Sequence, residues 1–294
     1  MLYFHCPPLC FCVSVANSFR KVSCSPVTPA PLQRLRRIAS PQNSLVKDLR
    51  RAFARSELVA GGHCAIESVR MVEEAIRSGL RFRALFFSES AEDAARRLLP
   101  QIGSQVETLA LPDDVFASVV ATESPQGVAA LVKLKDFALE DALRPAPPLV
   151  LVPCGIQDPG NLGTMLRSAE AFGATGVLLG ENTASALNPK AVRASAGSLF
   201  RLPVMRVQNA EVTSQLRERG LRLVASSSHR GGRLDQADLS GPLAIFVGSE
   251  GAGLPKDILK QMAEVVAIPH APQVESLNAA VAASILLYEA ARKR

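Results

Sequence analysis

The chain has 294 residues, 48% of them hydrophobic, enough for about two domains with buried cores. Its 33 Lys and Arg against 27 Asp and Glu leave a net charge of +6, which favours a polyanionic partner such as a phosphate backbone. An aromatic content of 5% without Trp argues against extensive base-stacking platforms, and no stretch approaches the ~20 apolar residues of a membrane span. Six cysteines without a Cys-x-x-Cys pair and four scattered histidines build no zinc spacing, so reduced thiols and no metal are expected.

From Met1 to Lys47 there is no acidic residue, while Arg20, Lys21, Arg34, Arg36 and Arg37 are basic and Ser and Pro are frequent. Residues 1–39 therefore read either as an organellar transit peptide or, equally, as a disordered leader or over-extended start. The corresponding locations are the mitochondrion or plastid in the first case and the cytoplasm in the second.

Residues 40–135 read as a small α/β domain of alternating strands and helices. Its first helix, Asn43 to Arg55, carries Leu45, Leu49 and Phe53 on one side. Lys47, Arg50, Arg51 and Arg55 lie between them and are candidates for phosphate contact or simply a solvated helix face. Strands are expected at His63 to Ile66, Phe82 to Phe87, Gln105 to Leu109 and Gly127 to Val132. Helices are expected over Glu67 to Ser78, Ala91 to Leu99 and Asp113 to Val119. Residues 136–147 are Pro- and Ala-rich, and Pro145 and Pro147 lead to a linker without regular structure.

Residues 148–294 begin with the buried strand Leu149 to Val152. It runs into an elbow, Asp158-Pro159-Gly160-Asn161, with turn and N-cap residues followed by helical apolar spacing at Leu162, Leu166 and Ala169. Further strands are expected at Gly176 to Leu179, Leu202 to Arg206, Leu221 to Ser226, Ala244 to Val247 and Val265 to Ile268. Helices are expected over Pro189 to Ser198, Gln208 to Glu218 and Ser276 to Ala291. These six strands imply a mostly parallel sheet with helices on both faces, whose ligands bind beyond the carboxyl ends of the strands. Three of those ends carry polar or Gly-rich loops: the elbow, Gly248-Ser249-Glu250-Gly251-Ala252-Gly253, and the segment leading to Ser276-Leu277-Asn278. The Gly-rich loop lacks both G-x-G-x-x-G and a following Lys-Ser or Lys-Thr, and the acid at Glu250 opposes a phosphate.

Asn161 and Arg167, Gly248 and Glu250, and Ser276-Leu277-Asn278 together resemble the three motifs of the SpoU/TrmH family of RNA ribose 2′-O-methyltransferases, in the SPOUT superfamily. The resemblance is strong from Pro148 onward and weaker over Ser40 to Val132, where it matches an RNA substrate-binding domain. It implies S-adenosyl-L-methionine as cofactor, rRNA or tRNA as substrate, a homodimer, and a trefoil knot made by the segment from about Gly241 onward. It also implies a catalytic centre of Arg167, Asn161, Glu250, Ser276 and Asn278, with the cofactor's adenosine held by backbone groups at Gly248, Ile268 and Leu277. Arg167 is then the binder of the adjacent RNA phosphate and the polariser of the 2′-hydroxyl, with phosphate, water or a perturbed arginine as the proton acceptor. The chain departs from the family at Pro153-Cys154 and at His270-Ala271-Pro272. A non-catalytic RNA-binding or ribosome-assembly factor on the same fold is the alternative to an active enzyme.

Overall fold

The structure, a computed structural model, describes residues 32–228, 230–249 and 251–294. Residues 1–31 of the leader lie outside the described residues, as do His229 and Glu250. Regular structure starts before Ser40, with a 3-10 turn over Leu32–Arg34 and strand β1 (Arg36–Arg37). Next come α1 (Ser44–Arg55), β2 (His63–Glu67), α2 (Val69–Arg77), β3 (Arg81–Ser88), α3 (Glu92–Leu98), β4 (Glu107–Leu111), α4 (Asp113–Val119) and β5 (Val128–Lys133). They form a five-stranded sheet in the order β1-β4-β3-β5-β2, with β5 antiparallel to both neighbours. The early start has a plain cause: Thr108 donates its hydroxyl to the Arg34 carbonyl at 2.7 Å, and β1 adds to the free edge of β4.

Helix α1 begins where the Asn43 side chain accepts from Leu45 N at 2.9 Å. It buries Val46, Leu49, Ala52 and Phe53 against one face of this sheet, in a cluster with Phe86 and Phe116. The other face does not end in solvent. Ile66, Leu85, Phe87 and Val132 join Leu151, Met165 and Leu286 of the second domain in one continuous apolar cluster. The two domains thus share a core.

Between them the linker contains a helix that its composition hides, α5 (Leu139–Leu143). The prolines stand beyond its end, and the Asp141 carboxylate accepts from Ala138 N at 2.9 Å to satisfy its first turn. Leu139 and Leu143 pack on the core of the second sheet.

The second domain runs β6 (Leu149–Pro153), α6 (Pro159–Ala171), β7 (Gly176–Leu179), α7 (Pro189–Ala194), β8 (Val204–Arg206), α8 (Asn209–Glu218), β9 (Arg222–Ser227), β10 (Gly232–Arg233), β11 (Leu243–Val247), α9 (Lys256–Leu259), β12 (Glu264–Ala267) and α10 (Ala279–Arg292). Its seven strands lie in the order β10-β12-β9-β11-β6-β7-β8, and every neighbouring pair is parallel. The six expected strands are present, and β10, two residues long at an edge, is too short to leave an apolar pattern. Helix α7 stops short of the expected Ser198 because Ala196 and Gly197 turn left-handed, with φ of 49° and 90°.

The chain goes one way from β6 through β7 to β8 and returns on the other side through β9 and β11. The order therefore switches between β6 and β11, whose residues are all buried. A crevice at such a switch point, outside the carboxyl ends, is where open α/β sheets hold ligands. Both the elbow and the Gly248 loop leave from it.

Candidate active site

After β6, Cys154 continues the ladder by donating its N–H to the Val247 carbonyl at 2.8 Å. Asp158 then caps α6, accepting from Gly160 N at 2.9 Å, and Pro159 occupies the first helical position. The same carboxylate meets Lys190 Nζ at 2.7 Å, and these hydrogen bonds hold the Asp158 carboxyl below the usual carboxylate range. This capping places Asn161, half-buried, in the first turn of α6.

The third motif meets it there. Asn278 caps α10, its Oδ1 accepting from Ala280 N at 3.0 Å and Val281 N at 3.2 Å, while its Nδ2 donates to Asn161 Oδ1 at 3.1 Å. Two further contacts continue the same parallel helix pairing. Ser168 and Ser284 share a hydroxyl hydrogen bond of 2.7 Å, and the Phe172 and Tyr288 rings meet edge to face with centroids 5.7 Å apart. Helix α10 therefore begins at Ala279, three residues later than the sequence pattern implies, because Asn278 is spent on the cap.

The second motif folds back on itself. Gly253 N donates to the Ser249 carbonyl at 2.9 Å and Ala252 N to Ser249 Oγ at 3.3 Å, and a Cβ on Gly248 would overlap the Gly253–Leu254 peptide. Glu250 lies outside the described residues. Beyond β12, His270 Nδ1 lies 2.7 Å from the Ile268 carbonyl and donates to it.

These loops enclose a cleft of about 640 Å³ whose lining includes Gly248, Ile268, Ser276 and Leu277. A smaller cleft of about 300 Å³ lies on the other side of the Ser249 to Ala252 turn and is lined by Gly155, Gln157, Asp158 and Asn161. Ser249, Gly251, Ala252 and Ala279 line both. The arrangement is a larger cleft of mixed apolar and polar lining next to a smaller polar notch. The first cleft is also lined by Ser226, Ser227, Ser228 and Arg230, which sequence reasoning passed over. The signal was present, since these residues form a polar run at the carboxyl end of another parallel strand.

Arg167 stands apart. It is exposed on α6, lines neither cleft, and makes no hydrogen bond or ion pair among the described residues. On α1, Lys47, Arg51 and Arg55 are exposed and Arg50 is half-buried; none of the four is in an ion pair among the described residues, whereas the neighbouring Asp48 pairs with Arg83 at 2.9 Å. The C-terminal end of this helix reaches the second domain, where Ser185 Oγ donates to the Ser56 carbonyl at 2.9 Å. Among the described residues no His, Cys, Asp and Glu side chains gather as a metal site. Cys64 and Cys154 are free thiols, pushed up to about 12 chiefly by burial.

Residues 148–288 match the SpoU rRNA Methylase family model, and residues 43–130 match the MRM3-like substrate binding domain. The 23S rRNA (guanosine(2553)-2′-O)-methyltransferase RlmP of Bacillus subtilis is 32% identical over 86% of this chain and 98% of its own length. An uncharacterised tRNA/rRNA methyltransferase of Synechocystis is 35% identical over 87% of this chain and 94% of its own. Among solved structures, the SpoU methyltransferase AviRb of Streptomyces viridochromogenes in complex with AdoMet superimposes with a TM-score of 0.76 at 30% identity, covering 86% of this chain and 98% of that one. An AdoMet-bound rRNA methyltransferase of Sinorhizobium meliloti gives 0.73 at 26% identity, covering 88% and 98%. With Asn161, Gly248, Ser276, Leu277 and Asn278 gathered at the switch point of a parallel sheet and its full-length relatives at this level of identity, the chain belongs to the SpoU rRNA methylase family.

Proposed function

We propose that the protein transfers a methyl group from S-adenosyl-L-methionine to a ribose 2′-hydroxyl of RNA. The observation that carries this reading is the 3.1 Å hydrogen bond from Asn278 to Asn161, which ties the segment whose Leu277 and Ala279 line the larger cleft to the polar notch beside it. The larger cleft fits the cofactor. Its volume of about 640 Å³ falls within the ~300–1,000 Å³ of small-molecule sites. Ile268 and Leu277 give apolar walls to a flat base, and the tight turn at Gly248 leaves backbone groups to meet its edge. When bound, S-adenosyl-L-methionine supplies an electrophilic methyl on a sulfonium centre.

The residues of the chain do the rest. A ribose hydroxyl is a poor nucleophile until its proton is drawn off. Arg167 binds the neighbouring RNA phosphate and polarises the hydroxyl; because the guanidinium offers only donors, the hydroxyl proton passes to that phosphate or to water as the new O–C bond forms. Asn161, Glu250, Ser276 and Asn278 keep the hydroxyl and the cofactor in register. Because Arg167 lines neither cleft of its own subunit, the site is completed in a homodimer, with the arginine reaching the partner's notch. Val281 and Tyr288, 48% and 55% exposed and seven residues apart on α10, supply the apolar contact for that dimer.

The trefoil knot implied by the family belongs to the same reading. Residues 40–135 act as the substrate-binding domain, with Lys47, Arg50, Arg51 and Arg55 on RNA phosphates, residues 136–147 as the connection and residues 148–294 as the methyltransferase domain. No described helix is long and apolar enough to cross a membrane. We place the activity in the cytoplasm, or in a mitochondrion or plastid where residues 1–39 act as a transit peptide.

The test is transfer of labelled methyl from S-adenosyl-L-methionine to unmodified rRNA and tRNA transcripts, with 23S rRNA first. Wild type and Arg167→Ala run side by side, and nucleosides are resolved by mass. A 2′-O-methylnucleoside made by wild type and lost in the variant establishes the activity. Tight RNA binding without transfer would replace it with the non-catalytic binding factor.

A further inference from the structure

Three polar links cross between the first domain and the second among the described residues, and all of the second domain's partners come from one stretch, Ser185 to Arg201. Ser185 holds the Ser56 carbonyl at 2.9 Å. Arg193 Nη1 donates to Thr122 Oγ1 at 3.1 Å, and Thr122 in turn donates to the buried Glu67 at 2.8 Å. The third link is the densest. Arg201 grips Glu170 with both arms of its guanidinium, Nε to Oε1 at 2.6 Å and Nη2 to Oε2 at 2.9 Å. Its remaining nitrogen, Nη1, donates to Glu74 Oε2 at 3.0 Å and Ser78 Oγ at 3.2 Å on the first domain.

Glu74 lies on α2 and Glu170 on α6, three residues after Arg167 and on the helix that also carries Asn161. One guanidinium therefore spans the seam between the two domains and ends on the catalytic helix. The chain is shaped to bring it there: Gly197 holds φ of 90°, and a Cβ at that position would come to 3.0 Å from both Arg201 Nη1 and Glu74 Cβ. Charge gives the link a direction. Without Arg201, Glu74, left with Arg77 of its own helix at 3.4 Å, and Glu170 would face one another across the seam as two carboxylates. The pair's strength is visible in the Glu170 carboxyl, which the Arg201 hydrogen bond holds below its ordinary range.

We propose that Arg201 is a positioning residue that fixes the RNA-gripping domain against α6, so that the bound RNA presents one particular ribose to the notch lined by Asn161. The proposal rests on the methyltransferase reading above. It assigns to Arg201 the choice of nucleotide and the productive seating of RNA, with no contact to substrate or cofactor.

The test uses the full chain, as wild type, Arg201→Met and Arg201→Lys, with unmodified 23S rRNA transcript as the probe. KM for RNA, kcat, the affinity for S-adenosyl-L-methionine alone, and the methylated positions are measured well below the melting temperature. Arg201→Met should lower kcat/KM for RNA by up to about a hundredfold, chiefly through KM, or spread methyl over neighbouring nucleotides, as misplacement by about an ångström would. The affinity for cofactor alone should stay within about twofold, since the cofactor cleft is formed by other segments. Arg201→Lys keeps a cation between the carboxylates but loses the two-armed grip, and should recover part of the loss. Arg201→Met with a lowered melting temperature but wild-type KM and one methylated position would reduce Arg201 to a stabilising bridge and overturn the proposal. A wild type that methylates no transcript overturns the methyltransferase reading itself, and the proposal falls with it.

Discussion

Asn278 uses both ends of one amide: its oxygen caps α10 and its nitrogen reaches Asn161 Oδ1 at 3.1 Å. These two jobs can be separated, because a serine also caps well but is too short to reach Asn161. Asn278→Ser should therefore keep the melting temperature within a few degrees while methyl transfer falls by about a hundredfold. Asn278→Ala should lose activity and, with the cap, about 1 kcal/mol of stability. Thermal unfolding and initial rates on the same samples check both. Full activity in the serine variant would show that the Asn161 link has no part in the reaction.

Arg167 is exposed and without a hydrogen bond or ion pair among the described residues, so the fold does not depend on it. Arg167→Ala should change unfolding free energy by less than about 0.5 kcal/mol. Methyl transfer should nevertheless be lost, and lysine should not restore it, because a point charge does not replace a planar two-pronged donor. Mixing Arg167→Ala with Asn161→Ala subunits tests where the arginine acts. If it serves the partner's notch, random re-association leaves about a quarter of the sites intact, in subunit pairs where both lesions fall on the same site. A mixture as inactive as either parent would place Arg167 in its own subunit's chemistry.

How much of this could be read from the residues follows the range of the interactions. The elbow was legible because its causes are local: the Asp158 cap, Pro159 at the first helical position and the apolar spacing at Leu162 and Leu166 act within a few residues. Strands β6, β11 and β12 were legible as apolar runs that end in polar loops. Helix α5 was not, since prolines that stand beyond its end dominate the composition of the linker. The seam was hidden for a different reason. Arg201 finds partners 31 and 127 residues away, and Ser185 one 129 residues away, and no periodicity encodes such separations. The distance of Arg167 from the notch was partly legible. Six residues advance an α-helix by about 600°, which puts Arg167 about 120° round the helix from Asn161.

On α1 the exposed cations have no acidic partner to neutralise them among the described residues. If they meet RNA phosphates, replacing Lys47, Arg51 and Arg55 by alanine should lower the slope of log affinity against log salt by about 2 to 3, with ~0.7–0.9 per contact. Affinity should fall for all RNAs alike, since phosphate contacts carry no sequence information. Filter binding across a salt series reads the slope directly. An unchanged slope would make α1 a solvated face and move the RNA elsewhere.

The pair of Asp158 and Lys190, 2.7 Å apart at the mouth of the notch, gives the elbow a dependence on acid. The Lys190 hydrogen bond, followed by that from Gly160 N, depresses the folded-state pKa of Asp158 below its unfolded value. A carboxyl depressed by folding contributes stability above its unfolded pKa of about 3.9 and loses it as pH falls through the folded value. Asp158→Asn keeps the cap, since asparagine also accepts from Gly160 N, but has no charge to titrate. Wild type should therefore be the more stable protein above about pH 5, and the difference should shrink as pH falls below about 4. The gap stays modest because both side chains are largely exposed, Asp158 at 45% and Lys190 at 60%, and solvent screens the pair. Melting temperatures of the two proteins from pH 7 to pH 3 read the difference, and a gap that is constant or widens toward acid would contradict the assignment.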